Sequence, residues 1–141
     1  MHPPILVAED EETDMLIFRV AAEKAGLSNP LIFTRDGTET IARLQSECPH
    51  PDRIPCLIVL DLKMPGLTGF EVLEWLSHSP HLRDVPAVVL TSSSHQDDIA
   101  KARRLGAREY HVKPHSLPEL TTLLQQLAAR WLTAPPRRSD K

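Results

Sequence analysis

Short apolar runs alternate along this chain with stretches whose apolar residues recur every three or four positions. Ile5-Leu6-Val7-Ala8 is the first unbroken run and reads as a buried strand. Residues 13–25 follow as a helix that stops at Gly26, a residue suited to the turn after a helix end. Leu31-Ile32-Phe33 is a second strand and Asp36-Gly37 turns the chain. Thr38 is placed to cap a short helix with Ile41 and Leu44 on its inner face. A proline-rich loop over 48–55 leads into residues 56–60, the third strand. A helix follows from about Gly69, with Val72, Leu73 and Leu76 facing inward. Ala87-Val88-Val89-Leu90 is the fourth strand, 96–105 a polar helix ending at Leu105-Gly106, and Glu109-Tyr110-His111-Val112 the fifth strand. The last helix is the clearest. Ser116 and Glu119 have capping-box spacing, and Leu120, Leu123, Leu124, Leu127, Ala128 and Trp131 then recur at helical intervals.

Five strands alternating with five helices predict an α/β fold, a parallel sheet covered on both faces. Right-handed crossovers leave few topologies. The doubly wound order 2-1-3-4-5 places the first and third strands side by side at the switch point, where ligands bind outside the strands' carboxyl ends. The folded unit is expected over 1–132. The tail 133–141, with two prolines and mixed charge, is expected to extend from it.

Composition narrows the function. The 141 residues, 41% apolar and 25% charged, suit one soluble domain. A net charge of −3 argues against nucleic acid as a partner. No apolar run approaches the ~18 residues of a membrane span, and Met-His-Pro-Pro lacks the basic and apolar regions of a signal peptide. Cys48 and Cys56 show neither metal-ligand spacing nor a C-x-x-C pair, and read as reduced thiols of a cytoplasmic protein.

The polar residues at the strand ends carry the chemistry. The first strand ends in Glu9-Asp10, the third in Asp61 before Leu62-Lys63-Met64-Pro65-Gly66, the fourth in Thr91-Ser92, the fifth in Lys113-Pro114. In the expected topology all four ends face one crevice. Three carboxylates there cannot all stay ionised without help. A hard divalent cation supplies that help: Mg²⁺, with Mn²⁺ as an acceptable substitute, prefers carboxylates, waters and a phosphate oxygen. Lys113 is a compact positive charge for a phosphoryl oxygen and Thr91 a hydroxyl donor for another. The set suits phosphoryl transfer to a carboxylate, with Asp61 as nucleophile and Asp10 and Glu9 at the metal.

On these residues, together with Leu105-Gly106-Ala107, the sequence resembles the receiver domain of two-component response regulators over 5–132. The resemblance implies that Asp61 accepts phosphate from the phosphohistidine of a sensor histidine kinase. It implies that the carbonyl of Lys63 completes the metal site and that Tyr110 is a switch aromatic moving with Thr91. It also implies a cis Lys113-Pro114 bond, and that Lys63 and Ser93 tune phosphoryl lifetime. Leu90-Thr91-Ser92-Ser93-Ser94, the proline-rich insert and Arg130-Trp131-Leu132 resemble the stand-alone regulators that serve phytochrome-type kinases. About nine residues follow the last helix, too few for a DNA-binding domain. The expected output is therefore a contact with a downstream protein. The face formed by the fourth helix, fifth strand and fifth helix is its expected surface. A homodimer is expected there too, helped by Trp131 and Leu132 at an exposed helix end.

Plainer readings stand beside these. Glu9-Asp10 could belong to a capping run, since acids favour a helix N-terminus, and Glu11, Glu12 and Asp14 are assigned to that role. Thr91 could cap a helix, Lys113 could be solvated, and Tyr110 needs no switch role. His111 and His115 share no helix face and are not read as metal ligands. An aspartyl phosphatase wants a second Asp two residues after the first, where this chain has Lys63. A flavin module would need a phosphate loop where Glu9-Asp10-Glu11-Glu12 repel phosphate. An interaction domain without phosphorylation would not need the full constellation.

Overall fold

The computed structural model describes residues 2–47 and 49–132. Among them five strands and five α-helices alternate: β1 Ile5–Ala8, α1 Glu12–Lys24, β2 Leu31–Thr34, α2 Gly37–Glu47, β3 Leu57–Leu60, α3 Gly69–Ser77, β4 Ala87–Thr91, α4 Gln96–Arg104, β5 Glu109–Val112 and α5 Leu117–Leu127. All strand pairs are parallel, in the order β2-β1-β3-β4-β5.

The unbroken apolar runs follow from burial on both faces. Successive side chains of a strand point to opposite sides, so each run feeds two cores. Leu6, Ala8, Ile58, Leu60 and Val89 face one side, against Leu44 of α2, Val72, Leu73 and Leu76 of α3 and Ala102 of α4. Ile5, Val7, Leu57, Val59, Val88 and Leu90 face the other, against Phe18 and Ala21 of α1 and Leu120, Leu123, Leu124 and Leu127 of α5. The strands of the middle are thereby clamped between helices, and their polar ends emerge together at one edge.

Three local expectations are corrected. Thr38 does not cap α2. Asp36 does, its Oδ1 accepting from the Glu39 N–H at 2.7 Å, because the helix starts at Gly37, two residues before the start that a Thr38 cap would give. The capping box sits on α3 rather than α5: Thr68 accepts from Glu71 N and the Glu71 side chain accepts from Thr68 N. At α5 Ser116 accepts from Glu119 N at 3.2 Å. The chain then winds one wider, π-helical turn over Ala128–Leu132. Trp131 and Leu132 are not an exposed end. Both are half-buried against the α1/α5 core, and the Trp131 indole donates to Glu109 at 2.8 Å. An amphipathic side chain with a polar tip finds a partner once its body is buried. The expected tail 133–141 and the thiol of Cys48 lie outside the described residues; Cys56 is a free thiol.

Candidate functional site

The strand register brings four chain segments to one rim. Ala8 pairs with Leu60, Leu60 with Val89, and Thr91 with Val112. Glu9, Asp61 and Lys113 are the residues that follow three of these strands, and Thr91 is the last of the fourth. The site thus depends on parallel pairing, which puts all the carboxyl ends on one side.

Asp61 is 5% exposed, and its backbone N–H is held by the Ala8 carbonyl at 3.1 Å. Its carboxylate takes three donors. Oδ1 accepts from the Thr91 hydroxyl at 2.9 Å and from the Lys63 N–H at 3.0 Å. Oδ2 accepts from Lys113 Nζ at 2.9 Å. Gly69, the first residue of α3, is wedged against this strand end: a Cβ there would lie 2.5 Å from the Asp61 carbonyl oxygen and 2.9 Å from Leu62 Cα. Only a residue without a side chain lets α3 start so close to the carboxylate's own backbone.

Glu9, Asp10 and Asp61 each present a carboxylate oxygen, all within 4.8 Å of one another. Three hard oxygen donors at that spacing fit an ion of the Mg²⁺ class and not a thiolate- or imidazole-seeking metal. Glu9 is 5% exposed and its carboxyl group is raised above the ordinary glutamate range. Burial is the main cause, and hydrogen bonds from Lys113 and the Glu11 N–H only partly offset it.

Lys113 holds the centre of charge. Its Nζ lies 2.8 Å from Glu9 Oε1, 2.8 Å from Asp14 Oδ2 and 2.9 Å from Asp61 Oδ2. Burial alone would lower this ammonium, but the three carboxylates outweigh it and the group is raised. The two groups are raised for different reasons: three carboxylates hold the Lys113 ammonium in its charged form, while burial disfavours the charged form of Glu9.

Asp14 is the residue that sequence reasoning misassigned. Glu11 occupies the cap position of α1 without a side-chain cap bond, and Glu9 Oε2 accepts the Glu11 N–H at 3.1 Å. Asp14, read as a capping acid, instead reaches across to Lys113, 99 residues away in the chain. Its place in the first helical turn, above the strand ends, was the available signal.

Tyr110 lies apart from the carboxylates. Its ring is half-buried and its hydroxyl donates to the Ser93 carbonyl at 2.8 Å. Burial raises its phenol above the ordinary range. Ser93 is 4% exposed and donates to Asp98 at 2.5 Å. The loop that follows Thr91 is therefore pinned to β5 through Tyr110. The Lys113-Pro114 bond, expected cis, is trans, as are all described peptide bonds. The two isomers at a proline differ by only about 0.5–1 kcal/mol, so surrounding structure decides between them. His111 pairs with Glu109 at 2.7 Å.

The arrangement offers a nucleophilic carboxylate, hydroxyl and ammonium donors for phosphoryl oxygens, and oxygen ligands for a cation. Comparison with known proteins agrees with that chemistry. The response regulator receiver domain model matches residues 5–125. Response regulator Rcp1 of Synechocystis sp. is 33% identical over 134 residues, which cover 93% of this chain and 91% of Rcp1. The crystal structure of the phosphorylated cyanobacterial phytochrome response regulator RcpA matches with a TM-score of 0.84 at 30% identity, over 94% of this chain and 96% of that one. The Mn²⁺-bound form of Rcp1 matches with a TM-score of 0.81 at 31% identity, over 95% and 97% of the two chains.

Proposed function

The chain belongs to the response regulator receiver family, and from that premise we propose that Asp61 is its phosphoacceptor, loaded by a sensor histidine kinase in the presence of Mg²⁺. One observation carries the proposal: a buried carboxylate whose oxygens accept from Thr91, Lys63 N–H and Lys113 beside two further carboxylates. An oxygen of Asp61 bonds to phosphorus as the P–N bond of the donor phosphohistidine breaks. The electron pair returns to the imidazole nitrogen, which leaves neutral after taking a proton from solvent. Lys113 and Thr91 hold two of the phosphoryl oxygens, so the groups that now hold the carboxylate hold the charge that replaces it. Glu9, Asp10, Asp61 and the Lys63 carbonyl are the residues that would hold the ion. When bound it supplies charge neutralisation for the transferring group. The same residues serve the return of the phosphoryl group to water, so the protein assists its own loading and unloading.

The similarity to RcpA, a cyanobacterial phytochrome response regulator, supports a phytochrome-type kinase as the donor. Output runs through Tyr110 and Thr91 to the face of α4, β5 and α5, for a downstream protein or a second copy of this chain. Val112, 42% exposed on the edge strand, is an apolar residue that face presents. The receiver unit spans 1–132, and its place is the cytoplasm. Among the described residues no helix is long and apolar enough to cross a membrane. The phosphatase alternative has no acid where it needs one, since Lys63 stands there.

Incubation with acetyl phosphate and Mg²⁺ tests the assignment. The wild-type protein is expected to take up one phosphoryl group and Asp61→Asn none. Equal labelling of the two overturns it. A sizing column run on the same samples reads the homodimer.

A further inference from the structure

We propose that Asp14 is a positioning residue, the partner that Lys113 keeps while Asp61 is loaded and unloaded. The inference rests on Asp61 being the phosphoacceptor and on the residues assigned to the ion. Lys113 Nζ has three carboxylate partners, Glu9, Asp14 and Asp61, at 2.8, 2.8 and 2.9 Å. Two of them are committed elsewhere in the loaded protein. Asp61 carries the phosphoryl group, so the lysine exchanges that contact for a phosphoryl oxygen. Glu9 belongs to the carboxylate cluster that suits the ion, and Asp14 lies outside it. Of the three contacts, the one to Asp14 alone is claimed by neither the ion nor the phosphoryl group.

A lysine needs such a contact. Its ammonium is a point charge on a flexible four-carbon stem. Packing does not fix the stem here, because a cavity of about 70 Å³ lies beside it, lined by Lys113, Phe18, Val59 and Leu90 among others. The backbone end is fixed: the Lys113 N–H donates to the Thr91 carbonyl at 2.8 Å. The ammonium end is held by its ion pairs. Asp14 supplies one from the first turn of α1, a helix whose Phe18, Ala21 and Ala22 are buried against the sheet. The lysine is thus tied at one end to β4 and at the other to α1, and neither tie uses a reacting atom.

A carboxylate this close to the site has one opposing effect: it repels the incoming anion. If repulsion were the whole role of Asp14, removing it would speed loading. If Asp14 holds the ammonium where a phosphoryl oxygen meets it, removing it slows loading. The two roles differ in sign. The Asp14 side chain is 38% exposed, so its worth is that of one screened hydrogen bond rather than of a buried ion pair.

Loading from acetyl phosphate at saturating Mg²⁺ is timed in wild type, Asp14→Ala and Glu11→Gln. Glu11 is an exposed acid near the same turn whose N–H, not its carboxylate, faces Glu9. Asp14→Ala is expected to load roughly three- to tenfold more slowly than wild type, the worth of one hydrogen bond of ordinary net strength. Glu11→Gln is expected to change less than about twofold, on the order of an exposed charge. Unchanged or faster loading by Asp14→Ala overturns the proposal, as does equal slowing in both variants. The ammonium itself gives a reading independent of rate. In protein labelled with ¹⁵N-lysine, the Lys113 Nζ–H signal is followed with Mg²⁺, before and after fluoroberyllate, a phosphoryl mimic. Held hydrogens exchange slowly enough to be seen. The signal is expected in wild type and Glu11→Gln in both states, and to be lost from Asp14→Ala with fluoroberyllate. Its loss from wild type on adding fluoroberyllate overturns the proposal, as does its persistence in Asp14→Ala. A wild-type protein that does not load removes the phosphoacceptor reading and this one together, whereas a wild type that loads beside an equally fast Asp14→Ala removes this one alone.

Discussion

Gly69→Ala places one methyl group against the backbone that carries Asp61. The new Cβ would lie 2.5 Å from the Asp61 carbonyl oxygen and 2.9 Å from Leu62 Cα. Ordinary contact begins near ~3.5 Å, so the fold must open by several tenths of an ångström to about 1 Å. Neither neighbour is a side chain that can rotate aside. Overpacking of this kind costs ~1–3 kcal/mol. Replacing glycine by alanine in a helix returns up to ~1 kcal/mol. The net expectation is a loss of ~1–2 kcal/mol, or a melting temperature ~3–6 °C lower for a chain of this length.

The same displacement moves the carboxylate relative to Thr91 Oγ1 and Lys113 Nζ. A misplacement approaching 1 Å costs up to ~100-fold in rate, so loading of Asp61 from acetyl phosphate should slow by at least ~10-fold. Gly26→Ala is the control. Gly26 has φ +82 and nothing within 4 Å of a new Cβ, so alanine there suffers backbone strain alone. A left-handed residue costs ~1–2 kcal/mol. Thermal unfolding by circular dichroism and the initial rate of phosphorylation are measured on both variants. Similar melting losses with a rate defect in Gly69→Ala alone are expected. A Gly69→Ala protein that melts at or above wild type, or loads as fast as Gly26→Ala, refutes the wedge argument.

Two further outcomes follow from the charges. Glu109 accepts from Arg130, His111 and Trp131, and Arg130 chiefly holds its carboxyl group down at about 2. A lowered folded value stabilises above the ordinary glutamate range and is lost as pH falls from about 4.5 toward about 2. Glu109→Gln should therefore melt below wild type at pH 6, by a small margin because the guanidinium is exposed and screened, and converge with it near pH 2. A gap that persists unchanged in acid contradicts the ion pair. Mg²⁺ at 100 times its dissociation constant should stabilise the fold by ~2.7 kcal/mol, read as a rise in melting temperature. Asp10→Asn should lose most of that rise, and an undiminished rise removes Asp10 from the ion's ligands.

The elements were legible because their signals are local. An unbroken apolar run such as Ile5–Ala8 is a strand buried on both faces, and the helical spacing from Leu120 to Leu127 admits one reading. Strand order followed from chain topology rules, and with it the meeting of Glu9, Asp10, Asp61, Thr91 and Lys113 at one rim. Those residues were readable because each stands at a strand end, and parallel pairing turns positions along the chain into neighbours in space. The helix caps were less legible. Asp36 and Thr38 both have capping chemistry, and a shift of two residues in the start of α2 decides which is used.

What only the tertiary structure decided depends on direction rather than position. Asp14 and the acids before it look alike in sequence, since all suit a helix N-terminus. The angle at which α1 leaves β1 aims Asp14, and not Glu11 or Glu12, at Lys113. Trp131 carried the periodicity of a helix face, yet the wider last turn brings its indole onto Glu109 instead of leaving it exposed. The Lys113-Pro114 isomer was likewise open to context, because its two forms differ by so little. Local pattern is determined by the chain's own neighbours. The aim of a side chain across ~100 residues of chain is set by how the layers pack, and no sequence window contains that information.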